Sequence, residues 1–169
     1  MRNTRFLLAF AFASALTACG ERPAAKKSDV TAADVIAGAA VTLDHYESVE
    51  GKFGVDLPPV WKGNYTGSPH ADTTLGSRFY VDFRFKPAPE MKVEPRTLMV
   101  IRIFTPDAWA KVASRPGPAS GIKISEHGND VFVVSLAGGN PYKTGTPAAE
   151  LFDKLMLAVF NEAPRLTPR

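Results

Sequence analysis

The chain has 169 residues, 20 Lys and Arg against 17 Asp and Glu, 45% hydrophobic residues and a single Cys. That length suits one domain of ordinary size, the hydrophobic share argues against intrinsic disorder, and one Cys excludes a disulfide framework or a Cys-based zinc site. The formal charge of +3 and pI near 9.1 raise the question of a nucleic-acid partner. Residues 1–18 begin with Arg2 and Arg5, continue through the apolar run Phe6 to Ala13 and end in small residues. This is the pattern of a secretory signal. Its apolar stretch is about half of what a bilayer span requires, which argues against a permanent transmembrane helix.

Leu16-Thr17-Ala18-Cys19 closely resembles the bacterial lipobox. The resemblance implies transfer of diacylglycerol to the Cys19 sulfur, cleavage after Ala18 and acylation of the new amino end, so that Cys19 holds the protein to the lipid bilayer. The alternative is an ordinary signal peptide whose small-residue cleavage site happens to precede a cysteine. Two or three acyl chains anchor stably, whereas one chain alone is marginal. Gly20 stands where an aspartate would resemble an inner-membrane retention signal, which favours the outer membrane, periplasmic face. Cleavage of 18 residues removes Arg2 and Arg5 and leaves 18 basic and 17 acidic side chains, a formal charge of +1. The basic pI thus belongs largely to the signal, and no nucleic-acid partner is expected. Residues 19–30 read as the acylated Cys and a polar, flexible tether, with Lys26 and Lys27 available to anionic headgroups.

Residues 31–169 form the expected globular domain with a short polar C-terminal tail. Thr31 to Asp34 has the spacing of a helix capping box, which predicts a short helix over Val35–Val41. Lys52–Leu57 alternates, with Phe53, Val55 and Leu57 on one face, and Pro58-Pro59 ends it. Arg78–Lys86 alternates most clearly: Phe79, Val81, Phe83 and Phe85 point one way, Arg78, Tyr80, Asp82, Arg84 and Lys86 the other. That is a strand with one buried and one wet face. Thr97–Phe104 is nearly continuous apolar sequence, a central strand in which Arg102 is the only charged residue. Thr105 caps a short helix through Ala113, with Pro106 in its first turn. Ile122–Ser125 and Val131–Leu136 flank His127-Gly128-Asn129-Asp130, a hairpin signal. Thr146 and Pro147 open the strongest helix, whose apolar stripe is Ala148, Leu151, Phe152, Leu155 and Val159. The order predicts an α+β single domain: an antiparallel β-sheet with a short helix, and a C-terminal helix packed on one face.

Motifs that carry chemistry are few. His45, His70 and His127 stand far apart, without a ligand spacing such as HExxH, so no metal or cofactor is expected and surface or loop positions account for them. His70-Ala71-Asp72 offers two ligands at most. There is no GxSxG elbow and no P-loop, and Gly138-Gly139-Asn140-Pro141 is a turn signal. No pair of carboxylates stands out for glycoside chemistry. The aromatics Trp61, Tyr65, Tyr80, Trp109 and Tyr142 remain. Tyr80 flanked by Arg78, Asp82 and Arg84 is the best candidate binding surface, with Trp61 and Tyr142 as further members. The competing expectation makes Trp61 and Trp109 core anchors and tucks Tyr80 under a loop.

Two wider resemblances bear on location. Phe53, Leu57-Pro58, Trp61, Gly63 and Tyr65, followed by Leu98, Ile101, Phe104 and Trp109 and by Asn140-Pro141-Tyr142, resemble a pattern in small, uncharacterised secreted and envelope proteins of bacteria. This resemblance covers about residues 50–160 and implies a fold and a location, with no activity. Tyr65-Thr66-Gly67-Ser68-Pro69-His70-Ala71-Asp72 is similar to a motif of outer-membrane copper-stress and surface-sensing lipoproteins. Here His70 and Thr73 replace its cysteines, so redox or copper chemistry is not carried over. The expectation is a membrane-anchored periplasmic lipoprotein acting as a non-enzymatic binding or structural module, with an envelope protein or polymer as partner. The alternatives are an envelope-polymer hydrolase with a weak sequence signature and a periplasmic enzyme inhibitor that presents the loop Gly138–Tyr142.

Overall fold

The computed structural model describes residues 43–71, 75–117 and 120–169. The signal, Cys19, the tether, the helix expected over Val35–Val41, and Asp72 and Thr73 lie outside the described residues.

Among the described residues, eight strands and two helices follow one another: β1 (Asp44–Ser48), β2 (Phe53–Leu57), β3 (Tyr65–Ala71), β4 (Phe79–Phe85), β5 (Thr97–Phe104), α1 (Pro106–Ala113), β6 (Ile122–His127), β7 (Asp130–Leu136), α2 (Pro147–Asn161) and β8 (Arg165–Pro168). Short 3₁₀ turns occupy Pro59–Trp61 and Pro89–Met91. All these strand pairs are antiparallel, and they form two sheets rather than one: β1-β2-β8, and β3-β4-β5-β7-β6. The α+β class expected from the pattern is the class observed. The second sheet is new, and it turns the expected polar tail into strand β8, paired with β2 from Phe53↔Pro168 to Asp56↔Arg165.

Both helices start where their caps predict. The Thr105 hydroxyl accepts from the Ala108 amide and the Thr146 hydroxyl from the Ala149 amide, each at 3.3 Å, and Pro106 and Pro147 fill the first turns. The β6–β7 hairpin closes through Gly128 and Asn129, with Gly128 at φ +58°, a value glycine adopts without strain.

One core lies between the two sheets and under α2. From β4 it takes Val81, Phe83 and Phe85, and from β5 Leu98, Met99, Ile101 and Ile103. Phe53, Val55 and Leu57 of β2 face them, and Phe152, Leu155 and Val159 of α2 complete the enclosure. The register slips between Phe83 and Arg84, where Phe83 faces Met99 and Arg84 faces Thr97. This bulge leaves Leu98 as the extra residue, so consecutive residues Leu98 and Met99 are both buried. A smaller cluster of Phe104, Val131, Val133 and Val112 lies on the opposite side of the five-stranded sheet, where Trp109 and Ala108 of α1 cover it. Among the described residues, helix α1 roofs only that end of the outer face. Apart from Val100, the rest carries mostly polar side chains.

Candidate functional site

The pleat sends Thr66, Ser68 and His70 of β3, Tyr80, Asp82 and Arg84 of β4, and Val100 and Arg102 of β5 to this open outer face. Register then assembles one rung across three strands, because His70 lies opposite Tyr80 and Tyr80 lies opposite Arg102. The His70 ring stacks on Tyr80 at 4.7 Å between centroids and 21° between planes. From the other side, the Arg102 guanidinium carbon lies 4.9 Å from the Tyr80 centroid, a cation–π contact. With its ring contacted by His70 and Arg102, Tyr80 offers no free face as a platform for a flat ligand. The rung leaves His70 exposed and Tyr80 and Arg102 part-exposed, with Arg102 Nη1 covered.

The next rung adds Asp82. Its Oδ2 is 3.8 Å from Arg84 Nε, and the Asp82 side chain is 19% exposed. Arg84 is anchored by Nη2 donating to the Pro95 carbonyl at 2.8 Å. Among the described residues, two buried side-chain atoms have no hydrogen-bond partner: Asp82 Oδ1 and Arg102 Nη1. They belong to diagonal neighbours on this face, roughly 7–8 Å apart along the backbone. One is an acceptor and the other a donor, and such groups are rare in folded proteins.

The expected site residues separate. Tyr80 and Arg84 lie on the open face. Arg78 precedes β4 and forms a short ion pair with Asp130 at the start of β7. Trp61 is wholly buried, and its indole N–H donates to the Leu155 carbonyl of α2 at 3.0 Å. It has no surface with which to bind a partner and leaves the candidate set as a core anchor. Tyr142 is half-buried on the inner side, edge-on to Phe85 and to Phe152 at 5.5 Å from each, with its hydroxyl donating to the Glu94 carbonyl at 2.7 Å. Burial raises its pKa above the ordinary phenol value, and Arg96 and Arg84 partly offset that. The loop around it is stapled: Asn140 Nδ2 donates to the Ala149 carbonyl at 2.8 Å, and Asn140 Oδ1 accepts from the Tyr142 amide at 2.9 Å.

Arg102 and His70 are the residues that the strand pattern does not assign to the site. A signal for Arg102 exists, since it is the one charge in an otherwise apolar strand. A central strand tolerates such a charge only where its face opens to solvent or to a partner.

A second polar cluster occupies the outer face of the small sheet. His45 Nδ1 is 2.7 Å from Asp56 Oδ1, His45 Nε2 is 3.2 Å from Glu47 Oε2, and Arg169 reaches the same Glu47 oxygen at 3.0 Å. A side chain at Gly54 would collide with His45, since a Cβ there would lie 2.7 Å from the imidazole Cε1. The hydrogen bonds to Asp56 and then Glu47 raise the His45 pKa above its ordinary value. A catalytic base needs a ring nitrogen free for substrate, and here both carry carboxylate partners. The cluster is an ion-pair network that ties β1, β2 and the end of the chain together.

No protein-family model matches the chain, no curated protein matches it, and no solved structure matches it.

Proposed function

We propose that the protein is a lipid-anchored lipoprotein of the bacterial envelope, held at the periplasmic face of the outer membrane through acylated Cys19, whose domain binds another envelope component. The open face of the five-stranded sheet is the binding surface in this proposal. The single observation that carries it is the His70–Tyr80–Arg102 rung beside Asp82. These polar groups are ordered by packing on one another, and one donor and one acceptor there lack an internal partner. Support for anchoring comes from the sequence alone: the lipobox pattern, and the placement of the only Cys where that processing requires it.

The test is site-specific photo-crosslinking in cells, with the full chain carrying a photoreactive residue at Ser68 on the open face or at Ala110 on the exposed surface of α1. A discrete crosslinked envelope species from position 68, absent from position 110, is the expected result. Equal or absent products at both positions refute the assignment of this face.

A further inference from the structure

Resting on that binding proposal, we infer that the open face takes the carboxyl end of a peptide, with Arg102 receiving the carboxylate and Asp82 the adjoining amide N–H. Arg102 has no acidic partner within ion-pair reach among the described residues, and unlike the exposed Lys86 it is held in place by an aromatic contact. Arg84 is shared with Asp82, and Arg78 with Asp130. The cation–π contact with Tyr80 holds the guanidinium in place without consuming its N–H groups. A guanidinium carries parallel donors that match a planar carboxylate in a two-point contact. The unpartnered Arg102 Nη1 is such a donor, buried in the unliganded face and available once a covering side chain moves.

The neighbouring Asp82 decides between anions. A phosphate would bring extra negative charge against the Asp82 carboxylate, and like charges at this spacing repel. A peptide terminus brings one negative charge together with an N–H donor a few ångströms away. It therefore satisfies the guanidinium and the unpartnered Asp82 Oδ1 at once. Tyr80 contributes a hydroxyl beside them, and Ser68, opposite Asp82, contributes a second. Arg84, 46% exposed and 3.8 Å from Asp82, is the side chain that moves to uncover the two buried atoms for the ligand, giving up its hydrogen bond to the Pro95 carbonyl as it does so. Rotamer changes of this kind are common on binding.

The experiment titrates the detergent-solubilised full chain with acetyl-Ala-Ala carrying a free carboxylate, with the same peptide as its carboxamide, and with inorganic phosphate, read by calorimetry. The free acid should bind at least tenfold more tightly than the carboxamide or phosphate. Arg102→Gln should lose that preference, Arg102→Lys should weaken binding severalfold by keeping charge without the fork, and Asp82→Asn should weaken it by a smaller factor. Circular dichroism and the urea midpoint identify a variant that fails to fold, in which case Tyr80→Phe and Arg102→Lys supply the comparison. Equal binding of acid and carboxamide, tighter binding of phosphate, or no binding of the free acid overturns the inference. If the peptide fails while position 68 still crosslinks an envelope partner, the carboxylate assignment falls and the binding face stands. If both fail, both proposals fall.

Discussion

The two faces of the five-stranded sheet are built from the same strands, residue by alternate residue, yet they obey different rules. On the inner face Val81, Phe83, Phe85, Met99, Ile101 and Ile103 have no accessible surface, and each is fixed by volume and shape. On the outer face α1 covers one end, and the remaining rungs are held by cross-strand stacking and charge. Hydrophobic burial makes the inner face uninformative about function, because an apolar residue there is explained once it fills space. The outer face is not required for folding in that sense, so an ordered polar group on it calls for a reason. The comparison separates what holds this protein together from what it has to offer a partner.

Substitutions on the two faces should therefore differ in kind. The largest effect is expected at Trp61, which sits under α2 with its N–H paired. Trp61→Ala should lose about 3–5 kcal/mol of stability in urea unfolding, because it leaves a cavity and strips the Leu155 carbonyl of its indole donor. A loss below about 1 kcal/mol would mean that the inner face does not carry the fold.

Next comes Gly67, on the inner face of β3, where a Cβ would lie 2.3 Å from the Tyr46 ring. Gly67→Val should cost about 1–3 kcal/mol by pushing Tyr46 off its edge contact with Phe83, even though valine is the better strand former. A stabilised Gly67→Val protein would show that the ring can move freely.

A smaller effect is expected from the His45 network. Its folded-state pKa is raised above the ordinary value of 6.5. The stabilisation is therefore fully present below the unfolded-state value and is lost as pH rises through the folded-state value. The His45 side chain is 50% exposed, so solvent screening keeps this contribution under about 1 kcal/mol. Urea midpoints measured across that window should fall with rising pH in the parent and stay level in His45→Gln. An unchanged slope in the variant would assign the pH dependence elsewhere.

The smallest stability effect belongs to the outer face. Tyr80→Phe keeps the stacked ring and removes only an outward hydroxyl, so stability should stay within about 0.5 kcal/mol. A loss as large as that at Trp61 would erase the distinction between the faces.

The same contrast explains which elements are legible in the amino-acid sequence and which are not. β4 is legible because its inner residues are aromatic or β-branched and its outer ones polar, so period and propensity agree. Both helix starts are legible because Thr105-Pro106 and Thr146-Pro147 state their caps in sequence. β3 is hidden because its inward positions are Tyr65, Gly67, Pro69 and Ala71, which do not read as a hydrophobic stripe. The missing volume at Gly67 is supplied by Tyr46 from β1. β1, with sequence DHYES, needs only that one tyrosine to face inward, and β8 is four residues lying just past a helix-stopping proline. Tyr80 stands out from alternation on one strand. Arg102 stands out as the one charge of its strand and His70 does not, but that either lies beside Tyr80 is set by pairing register, which one strand's pattern does not contain.

Strand β8 ends one residue short of the terminus, and the Arg169 amide donates to the Lys52 carbonyl at 2.9 Å. The first and last strands of the domain thus share β2, and the small sheet has no second edge until the final residues arrive. Until residues 165–168 are in place, β2 is unpaired on that side. The small sheet is thus completed by a pairing of residues more than a hundred positions apart, a contact whose loop-closure cost is met late in folding. Losing β8 would therefore bare a strand edge on β2 and remove the Arg169 hydrogen bond to Lys52 together.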